Sequence, residues 1–167
     1  MSVLSLETKL MQNSALGAAL LWKFVSSYCK HGDTHDDPPL PLVFLVLPIA
    51  LHKNTAELAS KTQRVSGLRK FAGKFSSSEL RMNDELVAFH NRCIRMRKLT
   101  TDALSMSLRC RLLAIEISTA TIRTHMPFDE SRLPEGIGTM FKAVDRLGAW
   151  CACLELHEIA AIMKVAF

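Results

Sequence analysis

Hydrophobic positions gather into blocks along the chain, and the spacing inside each block predicts its element. The first is Asn13-Ser14-Ala15-Leu16-Gly17-Ala18-Ala19-Leu20-Leu21-Trp22-Lys23-Phe24-Val25. It reads as a helix with Ser14 as N-cap, ending near Tyr28 to Gly32, where Gly32 supplies the stop. Leu16, Leu20 and Phe24 form one stripe, Leu21, Val25 and Tyr28 an adjacent one, and alanines fill much of the rest. A helix apolar over most of its circumference is either central to a core or half covered by a partner. A proline-punctuated block follows, Pro38-Pro39-Leu40-Pro41-Leu42-Val43-Phe44-Leu45-Val46-Leu47-Pro48-Ile49-Ala50-Leu51-His52-Lys53. Its 12 residues from Leu40 to Leu51 fall short of the roughly 20 that a spanning helix needs, so it reads as buried core. Pro41 suits a first helical turn and Pro48 is expected to break or kink a helix. The segment is therefore expected to have an irregular lead-in and a short helix from about Leu47 to Ser60. A continuous apolar run fits strand or helix equally, which leaves residues 42–47 open.

The middle of the chain predicts two helices in quick succession. In the first, from Asn83 to about Lys98, Leu86, His90, Cys93, Ile94 and Arg97 share a stripe, with Asn91, Arg92, Arg95 and Lys98 outside. Thr100, Thr101 or Asp102 can cap the second, whose Leu104, Leu108 and Leu112 recur every fourth position. The β-branched run from Ile115 to Thr124 is poor helix material and predicts one strand or a tight hairpin. Helix, helix, hairpin is the plan of a winged helix. The last long helix is the clearest, with Ile137, Met140, Phe141, Val144, Leu147, Gly148, Cys151 and Leu154 on one face and Lys142, Asp145 and Arg146 opposite. Gly148 on that apolar face costs about 1 kcal/mol against alanine unless another backbone packs close, which predicts a tight helix crossing. A short helical turn, Leu156 to Met163, closes the chain. The expectation is a mainly α fold with a small β-hairpin, a compact helical domain with a winged-helix-like central part. Residues 1–167 form a single domain in this reading, divided into 14–60, 61–125 and 134–167.

Composition narrows the class. At 167 residues, 49% hydrophobic and 22% charged, the chain has the make-up of an ordinary globular protein. Five cysteines, an odd number, suit reduced thiols in a cytoplasm better than a disulfide framework, and the N-terminus lacks the pattern of a secretory signal. Charge is unevenly placed: twelve basic residues lie between Lys61 and Arg111 against four acids. Arg69, Lys70, Lys74, Arg92, Arg95, Lys98, Arg109 and Arg111 in that stretch, with Trp22, are the candidate contacts to a partner or to DNA. A solvated face explains the same charges, and no aromatic interleaving points to single-strand stacking.

The run from Asn13 to Val25 followed by the proline block resembles the start of the middle-component proteins of three-component ABC systems. The order continues through Gly67-Leu68-Arg69-Lys70-Phe71-Ala72, the basic helix pair and the β-like stretch. It ends with Arg146-Leu147-Gly148-Ala149-Trp150 and Glu158-Ile159-Ala160-Ala161-Ile162-Met163-Lys164-Val165. These small subunits are encoded with an SMC-like or ABC-class ATPase and an effector in Lamassu-type and related bacterial defence systems. The resemblance implies a cytoplasmic, non-catalytic connector between the ATPase and an effector such as a nuclease. It leaves open whether this chain touches DNA itself or meets it through the complex, and it carries over no catalytic residue; no cofactor and no membrane contact are expected.

Two side-chain clusters compete with that reading. Cys29-Lys30-His31-Gly32-Asp33-Thr34-His35-Asp36-Asp37 gathers thiol, imidazole and carboxylate groups, yet zinc needs a further ligand pair to close a tetrahedron, and a polar loop explains the residues without metal. Cys151-Ala152-Cys153 with His157 reads as structural thiols before a redox or zinc site. There is no phosphate-binding glycine loop with lysine, no metalloprotease His-Glu pair and no nucleophile elbow. A winged-helix transcription regulator, reading DNA with the helix from Thr100 to Leu112 and with Arg109 and Arg111, is the alternative. A small enzyme comes third.

Overall fold

The computed structural model describes residues 13–32, 36–75, 79–134 and 136–167, and its first helix is capped one residue earlier than expected. Asn13 Oδ1 accepts from the Leu16 amide at 3.0 Å, which satisfies one of the free donors of the first turn and leaves Ser14 inside helix α1, Ser14–His31. Gly32 ends the helix as predicted, its N–H reaching the Tyr28 carbonyl at 3.0 Å with an extended backbone.

The proline block is helical from Leu40 to Ala50. A 3-10 segment, Leu40–Leu45, runs directly into α2, Val46–Ala50, so residues 42–47 are not a strand. Pro48 does not break this helix, because it occupies the first turn of α2, where no donor is missed. The break falls instead at Leu51 and His52, and α3, Lys53–Lys61, leaves at 105° to the segment before it. No single described helix is long and apolar enough to cross a membrane. A short turn, Arg64–Ser66, then leads into α4, Gly67–Gly73.

Helix α5, Glu79–Arg95, and helix α6, Arg97–Arg109, meet at Met96 with no loop between them. The expected phase of α5 is corrected: Phe89 and Met96 join Leu86 in the core, whereas Ile94 is 46% exposed and Arg97 lies outside. Burying the Phe89 ring beside Phe75, at 6.1 Å between centroids, outweighs burying Ile94. The start of α6 is corrected as well, since Thr100, Thr101 and Asp102 fall inside the helix instead of capping it. Its buried face is Thr100, Ala103 and Ser107, with the predicted leucines Leu104, Leu108 and Leu112 only half buried at the flanks.

The β-branched run folds as the hairpin, β1, Leu113–Glu116, against β2, Thr121–Thr124, in the register Ile115 to Ile122. Its back is tied to the proline block, where Leu40 N–H donates to Ala120 O at 2.9 Å and Ile122 N–H to Pro38 O at 3.0 Å. Helices α7, Gly138–Cys151, and α8, Leu156–Met163, complete the set; α8 opens with a capping box between Glu155 and Glu158.

Helix α1 is the axle of this arrangement. α7, α6, α2 and β2 all pack on it, so Leu20, Leu21, Phe24 and Val25 lose all contact with solvent. Its apolar circumference is thus satisfied inside the chain. Two close crossings make that possible: Gly148 of α7 lies against the backbone of α1 at Phe24 and Tyr28, and Gly17 of α1 against Ala103 of α6.

Candidate interaction surface

The predicted basic patch resolves into separate groups carried by different elements. On α4, Arg69 and Lys70 are exposed, with Lys74 just beyond its end; Arg69 pairs with Glu158 of α8 at 3.4 Å, and Lys74 Nζ donates to Thr62 Oγ1 at 3.2 Å. At the junction of α5 and α6, Arg95, Arg97 and Lys98 are exposed, and Lys98 pairs with Asp102 at 2.7 Å. At the far end of α6, Arg109 and Arg111 flank the turn into β1, with Arg111 in the left-handed region at φ 56. Exposed ion pairs of this kind contribute at most about 1 kcal/mol, so they leave the surface free to exchange partners. Arg95, Arg97, Arg109 and Arg111 have no ion-pair partner among the described residues.

Two candidate contacts lie elsewhere. Arg92 turns inward and is half buried, donating to Pro48 O and Thr55 Oγ1, both at 3.2 Å; burial pushes its guanidinium below the ordinary arginine range. It clamps α5 to the bend between α2 and α3. Trp22 faces the interior, with its Nε1 donating to Met126 O at 2.9 Å and its ring 5.6 Å from Phe128. Beside it Lys23 meets Glu130 at 2.8 Å and Asp145 at 3.8 Å, and Arg64 meets Asp145 at 3.1 Å. Asp145, predicted to face away, therefore ties α7 to α1 and to the turn before α4, while Glu130 fastens the loop before α7 onto Lys23 of α1.

A groove escapes the sequence reading. It lies between the 3-10 segment, the end of α5 and the last three residues, and encloses about 420 Å³. Leu40 and Phe44 form one wall, Cys93, Ile94 and Arg97 another, and Phe167 closes an end. The residues predicted as the core stripe of α5 are in large part this wall. A signal for it lies in the sequence, since Arg97 fits a groove margin better than a core. His90 Nδ1 is buried in the wall with no hydrogen-bond partner among the described atoms.

The cysteine clusters offer little reactive thiolate. Burial, aided by Asp37 with its Oδ1 at 3.9 Å, pushes the Cys29 thiol up to about 11. Burial raises Cys93 to about 12 and pushes the fully enclosed Cys151 higher still. All three are protonated at neutral pH, so none is a ready nucleophile. Cys153 is exposed, pointing its Sγ at Ala149 O, and His157 is exposed too. Among the described residues no three His, Cys, Asp or Glu side chains are placed to hold a metal ion; His35 lies outside the described residues.

The described residues thus form a mainly helical fold with one small hairpin, an apolar groove and four exposed arginines without an ion-pair partner among them. The chain belongs to the family described as ABC-three component (ABC-3C) system Middle Component 3, which it matches over residues 1–167. It is accordingly a middle component of an ABC three-component defence system, a family that implies an ABC ATPase and an effector as partners. No curated protein and no solved structure matches the chain.

Proposed function

We propose that this chain is a non-catalytic connector in a Lamassu-type or related system, docking on an SMC-like ABC ATPase with one surface and holding a nuclease effector with another. The observation that carries the reading is the set of exposed arginines, Arg95, Arg97, Arg109 and Arg111, left without acidic partners on a chain whose buried thiols stay protonated. An arginine is costly to desolvate in an interface without a partner and favourable once it meets a carboxylate or phosphate, so such groups steer and orient association.

The test is assembly of the three purified subunits. Reversal of Arg95, Arg109 and Arg111 to glutamate should lower the affinity for the ATPase in a salt-dependent way with helical content unchanged. Alanine at Cys29, His31, Cys151, Cys153 or His157 should leave ATP hydrolysis and effector activity of the complex near wild type. A single polar substitution that silences the effector while the complex still forms would restore the enzyme reading. The winged-helix reading takes the same Arg109 and Arg111 as phosphate contacts beside the hairpin. It predicts that the free chain protects a short DNA palindrome, an outcome that would displace the connector.

A further inference from the structure

We infer that the groove between the 3-10 segment and α5 receives an amphipathic helix of a partner subunit, an apolar ridge flanked by a carboxylate that meets Arg97. The inference rests on the connector reading and names the contact through which it works.

The groove's shape supports a helix over a small molecule. Its volume, about 420 Å³, is enough for large apolar side chains presented at successive turns of a helix. Ile94 and Phe167 line it yet remain 46% and 45% exposed. A small molecule seated inside would leave those outer surfaces in water, whereas a helix lying across the groove buries both. Large apolar side chains left half open around a concave apolar floor are the pattern of a docking site.

Charge selects the flank of that helix. No acidic residue lines the groove, and the Arg97 guanidinium has no ion-pair partner among the described residues. An acidic side chain one turn from the apolar ridge gives Arg97 a partner, and a basic one is repelled. His90 supplies a second polar requirement. Its Nδ1 is buried without a partner among the described residues, a state that folded proteins seldom leave uncompensated, and a turn of the ring toward the groove would let a polar group on the docked helix complete it. Two polar groups on the same wall, seven residues and so about two helical turns apart, also fix the register in which the helix lies.

The experiment uses the assembled three-subunit complex with a photo-crosslinking residue in place of Ile94. The expected product joins this chain to one partner subunit, within a segment that has apolar residues at helical spacing and an Asp or Glu within one turn. Ile94→Lys and Arg97→Glu should each weaken binding of that subunit roughly tenfold or more, as substitutions at the centre of an interface do, while Arg97→Lys keeps most of the affinity. Ile117→Lys, a change at an 87% exposed position on the hairpin turn, should bind as wild type. A crosslink to no partner, a crosslinked segment without an acidic residue, or unchanged binding of Ile94→Lys overturns the inference. If Ile94→Lys assembles normally while reversal of Arg95, Arg109 and Arg111 breaks the complex, the groove inference falls and the connector stands. If the unaltered chain binds neither subunit, both fall.

Discussion

Gly148→Ala tests the crossing on which the interior is built. A Cβ at this position would stand 2.7 Å from Phe24 O, 2.8 Å from Ser27 Cβ and 3.0 Å from Tyr28 N. Two of those atoms are backbone of α1, which cannot swing aside as the tip of a flexible side chain does. The helices must separate, and separation also stretches the bond from Ser27 Oγ to Asp145 O, now 2.7 Å. Overpacking costs about 1 to 3 kcal/mol, occasionally more, and a weakened hydrogen bond adds about 1 kcal/mol. Alanine returns about 1 kcal/mol of helix propensity. The net loss is about 2 kcal/mol, which lowers the melting temperature of a chain this size by about 4 to 8 °C.

Urea unfolding followed by circular dichroism reads this directly: the midpoint should fall and the slope stay the same. Gly138→Ala is the steric control, since its added Cβ meets nothing within 4 Å, although at the first position of α7 it returns less helix propensity than an interior site. If Gly148→Ala is as stable as the parent or more so, α1 and α7 do not approach at this glycine. The account of how α1 is enclosed would then be wrong.

Other substitutions separate structural from surface roles. Arg92→Ala should cost about 2 to 3 kcal/mol, because it removes charged donors from Pro48 O and Thr55 Oγ1, whereas Arg95→Ala and Lys98→Ala should stay within about 0.5 kcal/mol; equal midpoints for all three would place Arg92 on the outside after all. Trp150→Phe keeps the ring stacked on Phe71 but loses the bond from Nε1 to Arg64 O, so a loss of about 1 kcal/mol is expected, against about 3 to 5 kcal/mol for Trp150→Ala. The thiols give a pH dependence. Cys29 and Cys93 ionise near their ordinary value of 9.0 when unfolded but near 11 and 12 when folded, so their contribution is complete below pH 9 and is lost as pH rises through those values. Urea midpoints should therefore fall between pH 9 and pH 11, and less steeply in Cys29→Ala/Cys93→Ala; an identical slope would remove these thiols from the account.

What the sequence made legible follows from how much each segment depends on its neighbours. α7 and α8 were readable because an uninterrupted 3.6-residue period needs only one apolar partner surface, and Gly148 carried its own cost as a sign of a close crossing. The segment at residues 40–50 was not, since periodicity vanishes when most sides are buried, and Pro48 breaks a helix or fits one according to whether it stands in the first turn, which spacing alone does not fix. The face of α5 failed for another reason. Leu86, Cys93 and a choice between Phe89 and His90 fit two phases almost equally, and only the packing of Phe75 and Phe71 in space selects Phe89. The same ambiguity hid the groove, because a wall of Cys93, Ile94 and Arg97 looks like core until the space between it and Leu40 and Phe44 is known to be open. Arg92 shows the limit for charges: a guanidinium anchored to a carbonyl 44 residues away has no signature in local spacing.

The enclosed state of α1 also decides how the isolated chain should behave. A helix apolar all round suggests a subunit that finishes its core on a partner, but here the four faces are occupied by α7, α6, α2 and β2 of the same chain. Apart from the groove, the large apolar residues that remain outside, such as Val65, Val87 and Ile117, are dispersed over the turn before α4, over α5 and over the hairpin. Dispersed exposure of this kind is normal for a protein that folds alone. The free chain should therefore unfold in one cooperative transition, and binding its partner should raise stability by mass action, about 2.7 kcal/mol at a hundredfold excess over Kd, with little gain in helix. Thermal melts of the chain alone and with its ATPase partner measure both quantities. A free chain that melts without cooperativity and gains much of its helix on binding would mean that the interior is completed by the partner, and the groove would then be one edge of a far larger interface.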